Sequence, residues 1–99
     1  MRKLDFSFEG SLWIYPGQTP WHFLTLPEDI SEELKSLRGK PRGFGSMRVA
    51  VKVGATQWQT SIFPDKLSNS FILPVKAEVR VKEDLGEGSF TRVEISVEL

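Results

Sequence analysis

The sequence predicts a mainly β protein: a small six-stranded closed or partly closed barrel with one main helix. Three observations carry that expectation. Runs of alternating apolar and polar residues recur along most of the chain, separated by Gly- and Pro-bearing turns. Helical periodicity is confined to one stretch, near Asp29–Arg38. The 99 residues suffice for one core, so the expected organisation is a single domain over residues 1–99, and barrel closure would remove the exposed edges of so many short strands.

From Lys3 to Tyr15 the pattern has a period of two, with Leu4, Phe6, Phe8, Leu12 and Ile14 on one face and Gly10 at a bulge or bend. The turn Pro16–Pro20 follows. Trp21–Leu26 then reads as a strand apolar on both faces, as inside a barrel or beneath a helix. Pro27 ends it, and PEDISEELKSLRG is the helix, with Ile30, Leu34 and Leu37 as its apolar stripe. Asp29 with Glu32 suggests a capping box, acids lead and bases trail, and Gly39 suits the position just past the end. Met47–Val53 is a strand with Arg48 and Lys52 on its outer face. Gly54-Ala55 is a hairpin turn of the Gly-X type, and Thr56–Phe63 returns. A polar turn from Pro64 to Asn69 leads to a short strand, Phe71–Leu73, stopped by Pro74. In VKAEVRVKED, strict alternation of Val75, Ala77, Val79 and Val81 argues strand, while Val75 and Val79 at i and i+4 argue a helical turn. A turn at Leu85–Gly88 precedes the last strand, Thr91–Leu99. The core expected from these faces is Phe6, Phe8, Leu34, Val49, Val51, Ile62, Val93 and Ile95, with Trp21 and Trp58 packed into it.

Composition narrows function more by exclusion. Thirteen basic and 13 acidic residues balance, so there is no global attraction to nucleic acid or anionic membrane. The absence of cysteine rules out disulfides, thiolate metal sites and cysteine nucleophiles. Asp5 and Glu9 break the apolar run that a signal peptide needs, and no segment approaches the ~20 apolar residues of a membrane helix. A cytoplasmic protein is the expectation. His22 stands alone without a nearby base partner or second ligand. Helix-dipole complementarity accounts for Glu28, Asp29, Glu32 and Glu33 without a metal. Neither Ser46 nor Ser61 sits in a nucleophile elbow, and GKPRGFG lacks the Gly-Lys-Ser/Thr ending of a phosphate loop. No catalytic residue, cofactor or metal is expected.

Two features remain. No acid falls between Lys35 and Lys52, a run that holds Arg38, Lys40, Arg42 and Arg48 with Phe44 among them. Arg42, Phe44, Arg48 and Lys52 are therefore the candidate ligand-binding residues, for a phosphate-bearing small molecule or a nucleic-acid backbone. Trp13 falls on the nominally polar face of its strand and is the candidate for a homodimer contact or a ligand shelf.

The stretch WQTSIFPDK, then SFILPVKAEVR and a Gly turn before a terminal strand, resembles Domain of Unknown Function family 1905. FSFEGSLW, WHFLTLPEDISEEL and MRVAVKVG carry the likeness over nearly the whole chain. That family is similar to double-split β-barrels, and its closing unit resembles the swapped-hairpin DNA-binding domains of bacterial antitoxins. Leu73-Pro74, Arg80, Leu85-Gly86 and Gly88 match the run found in those domains. Ser89 stands where they carry an aspartate, and Phe90-Thr91 lengthen the turn. The resemblance implies that Lys76–Asp84 is a short helix. The function expected is a non-enzymatic binding module for an anionic ligand. The alternatives are a DNA-binding regulatory domain, by that analogy, and an enzyme with a barrel-mouth site.

Overall fold

Strand β1 (Lys3–Ser11) lies antiparallel to the last strand, β7 (Phe90–Glu98), over its whole length, and the half-buried Phe6 and buried Phe8 face Ile95 and Val93. This is the alternation expected, with Lys3, Asp5, Ser7 and Glu9 turned outward. The structure, a computed structural model, describes residues 3–39 and 45–98. Its element order is β1, β2 (Trp13–Tyr15), β3 (Trp21–Thr25), α1 (Glu28–Arg38), β4 (Met47–Val53), β5 (Thr56–Asp65), β6 (Ser70–Pro74), α2 (Ala77–Lys82) and β7. The seven strands form one antiparallel curled sheet, an open half-barrel, in the order β1-β7-β4-β5-β6-β3-β2.

The count of seven rather than six, and the open rather than closed sheet, correct the sequence reading. The first alternating run is divided at Leu12, not bent at Gly10. The Leu12 N–H donates to Ser89 O and its carbonyl accepts from Gly88 N, both at 2.8 Å. Beyond that point the chain leaves β7 and pairs with β3, Trp13 opposite Phe23 and Tyr15 opposite Trp21. The two outermost strands of the sheet are thus joined through one residue.

The inner face holds Phe8, Leu24, Val49, Val51, Ile62, Phe71, Leu73, Val93, Ile95 and their neighbours. Helix α1 packs over it through Ile30, Ser31 and Leu34. Ser31, fully buried, accepts a 3.0 Å hydrogen bond from the Phe71 amide, so the helix is tied to β6 by a polar contact inside the core. The Arg38 guanidinium lies over the Phe71 ring, 5.4 Å from its centroid, and donates to Gly45 O. The capping box is absent: Pro27 is the N-cap without a side-chain cap bond, and Asp29 sits within the first turn. There a carboxylate still complements the helix dipole.

Helix α2 settles the strand-or-helix conflict. Val75 and Val79 are buried, whereas Val81 is 80% exposed, so the buried spacing is i, i+4. The Leu85 amide donates to Arg80 O (2.8 Å) and the Asp84 amide to Val81 O (3.3 Å). With Asp84 at φ 54, this is a Schellman ending in which Asp replaces the usual glycine, and Leu85 packs back on the core.

The position of α2 follows from the sheet. Strand β5 pairs with β4 from Thr56 to Ile62, but with β6 only from Phe63 to Asp65. The β5–β6 pairing stops at Ile72, while β6 stays paired with β3 as far as Pro74, whose missing N–H cannot extend a ladder. Helix α2 follows, and the C-cap beyond it reaches the start of β5, where Thr56 Oγ1 donates to Glu83 Oε2 at 2.6 Å. That carboxylate also occupies the space above Gly54, at φ 58 in the β4–β5 turn. A Cβ there would displace the Glu83 carboxylate, and the positive φ of the turn itself favours glycine.

Candidate functional site

Where β5 parts from β6, a pocket of ≈ 230 Å³ opens between the start of β3, the middle of β5 and the first turn of α2. Its walls include Trp21, His22, Trp58, Lys76 and Arg80. His22 is on the inward face of β3, beside buried Leu24, and its carbonyl accepts from the Val75 amide at 2.9 Å. Arg80 is half-buried on the second turn of α2. Two contacts pin its guanidinium: Nε donates to Val75 O (3.1 Å), and Nη1 lies 3.3 Å from His22 Nε2.

That second contact fixes the histidine tautomer. A guanidinium only donates, so Nε2 of a neutral His22 accepts and the ring proton sits on Nδ1. Nδ1 is buried and without a hydrogen-bond partner among the described residues. Of the five N–H groups of Arg80, these two contacts use two, leaving both hydrogens of Nη2 and one of Nη1. Among the described residues the ion pairs are Lys82–Glu78 (3.2 Å) and Lys76–Glu78 (3.9 Å); no carboxylate pairs with Arg80. A half-buried, oriented guanidinium with donors to spare has the chemistry to receive an oxyanion. Lys76, exposed at the pocket rim, adds a second positive charge that it shares with Glu78.

The residues singled out from the sequence lie elsewhere. Arg42 and Phe44 fall outside the described residues. Arg48 and Lys52 both project from the outer face of β4 and are exposed, as the alternation requires. Lys52 stands directly across the ladder from Glu94, and Arg48 shares a concavity with Lys3 and Glu98. A shallow trough of ≈ 700 Å³ crosses this face, lined by both signs of charge: Lys3 and Lys52 with Asp5 and Glu94, and Gln57, Gln59 and Ser96 beside them.

One aromatic placement is corrected as well. Trp21 is 57% exposed, not in the core, because it shares the outward face of β3 with Phe23. Trp58 is half-buried against the core, as expected. Trp13 is half-buried, its indole N–H donating to Thr25 Oγ1 at 2.9 Å. With Tyr15, Trp21 and Phe23 it forms an aromatic strip: Trp13 and Phe23 centroids are 5.2 Å apart, and Trp21 and Phe23 are 6.2 Å apart with planes 11° from parallel.

The sequence held only a faint sign of the pocket. His22 and Arg80 are 58 residues apart, and neither sits in a motif whose spacing announces the other. Among the described residues no helix is long and apolar enough to cross a membrane, and no three His, Asp or Glu side chains gather as a metal site would require.

The molecule is therefore of a definite kind, a curled antiparallel half-barrel with a helix set into the division of its sheet and a cationic pocket beside that helix. The chain belongs to the family described as Domain of unknown function (DUF1905), whose model matches residues 8–95, a span that contains the whole pocket. None of the curated proteins compared with it matches.

Proposed function

We propose that the protein is a non-enzymatic binding module for a small ligand bearing a carboxylate or phosphate, seated on Arg80 in the pocket between β3, β5 and α2. The observation that carries this reading is Arg80 itself, held by Val75 O and His22 Nε2 yet without a carboxylate among the described residues. Such a guanidinium has lost part of its hydration to burial and keeps three N–H donors, two on Nη2 and one on Nη1, so an oxyanion gains charge-assisted hydrogen bonds there. Preorganisation lowers the ordering cost that a flexible surface lysine would incur. A pocket of ≈ 230 Å³ admits an oxyanion head group and not a duplex backbone, which favours a small ligand over the DNA-binding alternative. Arg48 and Lys52, with glutamates alongside, offer an anion a weaker field than Arg80 does.

Titration of acetate and inorganic phosphate, followed by ¹H–¹⁵N NMR, tests the proposal. Signals of Arg80 Nε, His22 and Lys76 should move in the wild type. Arg80→Gln, which keeps one donor and removes the charge, should weaken binding roughly ten-fold or more, the worth of hydrogen bonds to a charged group. Equal binding by the variant, with its spectrum otherwise intact, sinks the reading.

A further inference from the structure

The pocket is smaller than the roughly 300–1,000 Å³ of sites that enclose drug-sized ligands, and one of its walls is shared with a different surface. Trp21 lines the pocket and is also the end of the aromatic strip made with Phe23, Trp13 and Tyr15. Tyr15 opposes Trp21 across the β2–β3 ladder and is 53% exposed. Two indoles line the pocket, Trp58 half-buried against the core and Trp21 57% exposed, so an anion on Arg80 whose remainder exceeds the pocket meets its open ring wall at Trp21, and beyond it a run of further rings. We infer that the ligand is a flat ring system carrying its oxyanion directly or on a short arm, with the anion on Arg80 and the ring against Trp21. The inference rests on the proposed role of Arg80 and adds the class of ligand.

An alkyl chain would also remove apolar surface from water on this strip, at a similar gain per unit area. A ring gains in addition from offset or edge-to-face contact with the indole, because the quadrupoles of the two π systems are complementary in those geometries. Trp21 and Phe23, nearly parallel along the strand, present ring surface rather than a channel that an extended chain would need. Trp13 is less available, since Thr25 already holds its indole N–H. Trp21 is the specificity-determining residue of this arrangement, and among the described residues its side chain makes no hydrogen bond that a substitution would break.

Three probes of equal charge separate the terms: acetate for the head group alone, octanoate for added alkyl surface, and 2-naphthoate for added ring surface, each titrated by NMR against wild type and Trp21→Ala. In the wild type 2-naphthoate should bind roughly two- to ten-fold more tightly than octanoate, the factor that an aromatic pair adds beyond area burial. Trp21→Ala should bring the two to parity, each affinity being taken relative to acetate in the same protein. Octanoate binding as well as 2-naphthoate to the wild type, or a ring preference that survives in Trp21→Ala, overturns the inference and leaves the Arg80 reading standing. Failure of all three anions to bind overturns both.

Discussion

The protein carries cations in two settings that differ in what lies across from them. On the outer face of β4, Arg48 and Lys52 are exposed and flanked by Glu98 and Glu94. In the division of the sheet, Arg80 is half-buried, fixed by two hydrogen bonds and without a carboxylate among the described residues. The sequence ranks them the other way, because Arg48 and Lys52 end an acid-free run while Arg80 sits between Glu78 and Glu83. Neighbours along the chain do not decide the field at a side chain; neighbours across the ladder do. Glu94 comes from the last strand and still stands directly opposite Lys52 in the ladder. On α2 the helical rotation turns Glu78 toward Lys82 and Glu83 toward Thr56, both away from Arg80.

The largest effect expected from breaking this contrast is on stability. Val79 is the buried residue of α2, and its burial sets where Arg80 reaches. Val51, equally buried, lies beneath the outer face of β4. Val79→Ala and Val51→Ala should each cost about 1–3 kcal/mol in chemical denaturation, from lost burial and a partly filled cavity. Acetate affinity, measured under conditions where both variants are folded, should fall in Val79→Ala and hold in Val51→Ala. An equal fall in both would show that the pocket depends on the sheet at large and not on the seating of α2.

A smaller effect is expected on the outer face. If the opposed glutamates are what neutralise Arg48 and Lys52, then Glu94→Gln/Glu98→Gln should create salt-sensitive binding of duplex oligonucleotide. Two released cations correspond to a steepening of the log affinity against log salt slope by about two. Wild type and Arg48→Ala/Lys52→Ala should differ little from each other. A clear loss of oligonucleotide binding in that alanine variant of the otherwise unaltered protein breaks the comparison, since the face would then act as an anion site despite its acids.

How far the fold could be read from the chain depends on which forces act locally. Alternation placed β1, β4, β5 and β7 because each has one face on the core, and a period of two then leaves no other register. Seven of the eight expected core residues are buried, and Phe6 is half-buried near the end of an edge strand. The break at Leu12 was not legible, because Ser89 and Gly88 from the far end of the chain impose it. Trp21 was misplaced for a related reason. Apolar content on both faces of β3 looks like burial, yet the outer side is a strip of rings packed on each other. Alternation in VKAEVRVKED suggested a strand, and Pro74, the Schellman ending at Asp84 and the gap beside β5 overrode it. The pocket needed all of these long-range outcomes at once, so His22 and Arg80 read as unrelated residues. The only hint lay in the resemblance, where Arg80 fell on a position that the likeness picked out.

The smallest effect bears on Lys76, the cation at the rim of the pocket. Glu78 is fully exposed, and its carboxyl is held below the ordinary 4.5, first by the hydrogen bond from Lys82 and its charge, then by the charge of Lys76. A carboxylate with a lowered folded value contributes stability that is complete above its unfolded value and fades as pH falls through the folded one. The contribution of Glu78 should therefore be complete at neutral pH and fade as the acid range is entered and pH falls through its lowered folded value, and solvent screening keeps it slight. Replacement by Gln removes that acid-range dependence and also frees Lys76 from a competing partner 3.9 Å away. At neutral pH and low salt, Glu78→Gln should then bind acetate or phosphate up to about two-fold more tightly, and the gain should disappear as salt is raised. The opposite sign, weaker binding in Glu78→Gln, would mean that the glutamate positions Lys76 for the anion and does not compete for it. The rim would then belong to the preorganised part of the pocket, as Arg80 does, and its distinction from the open face of β4 would be sharper still.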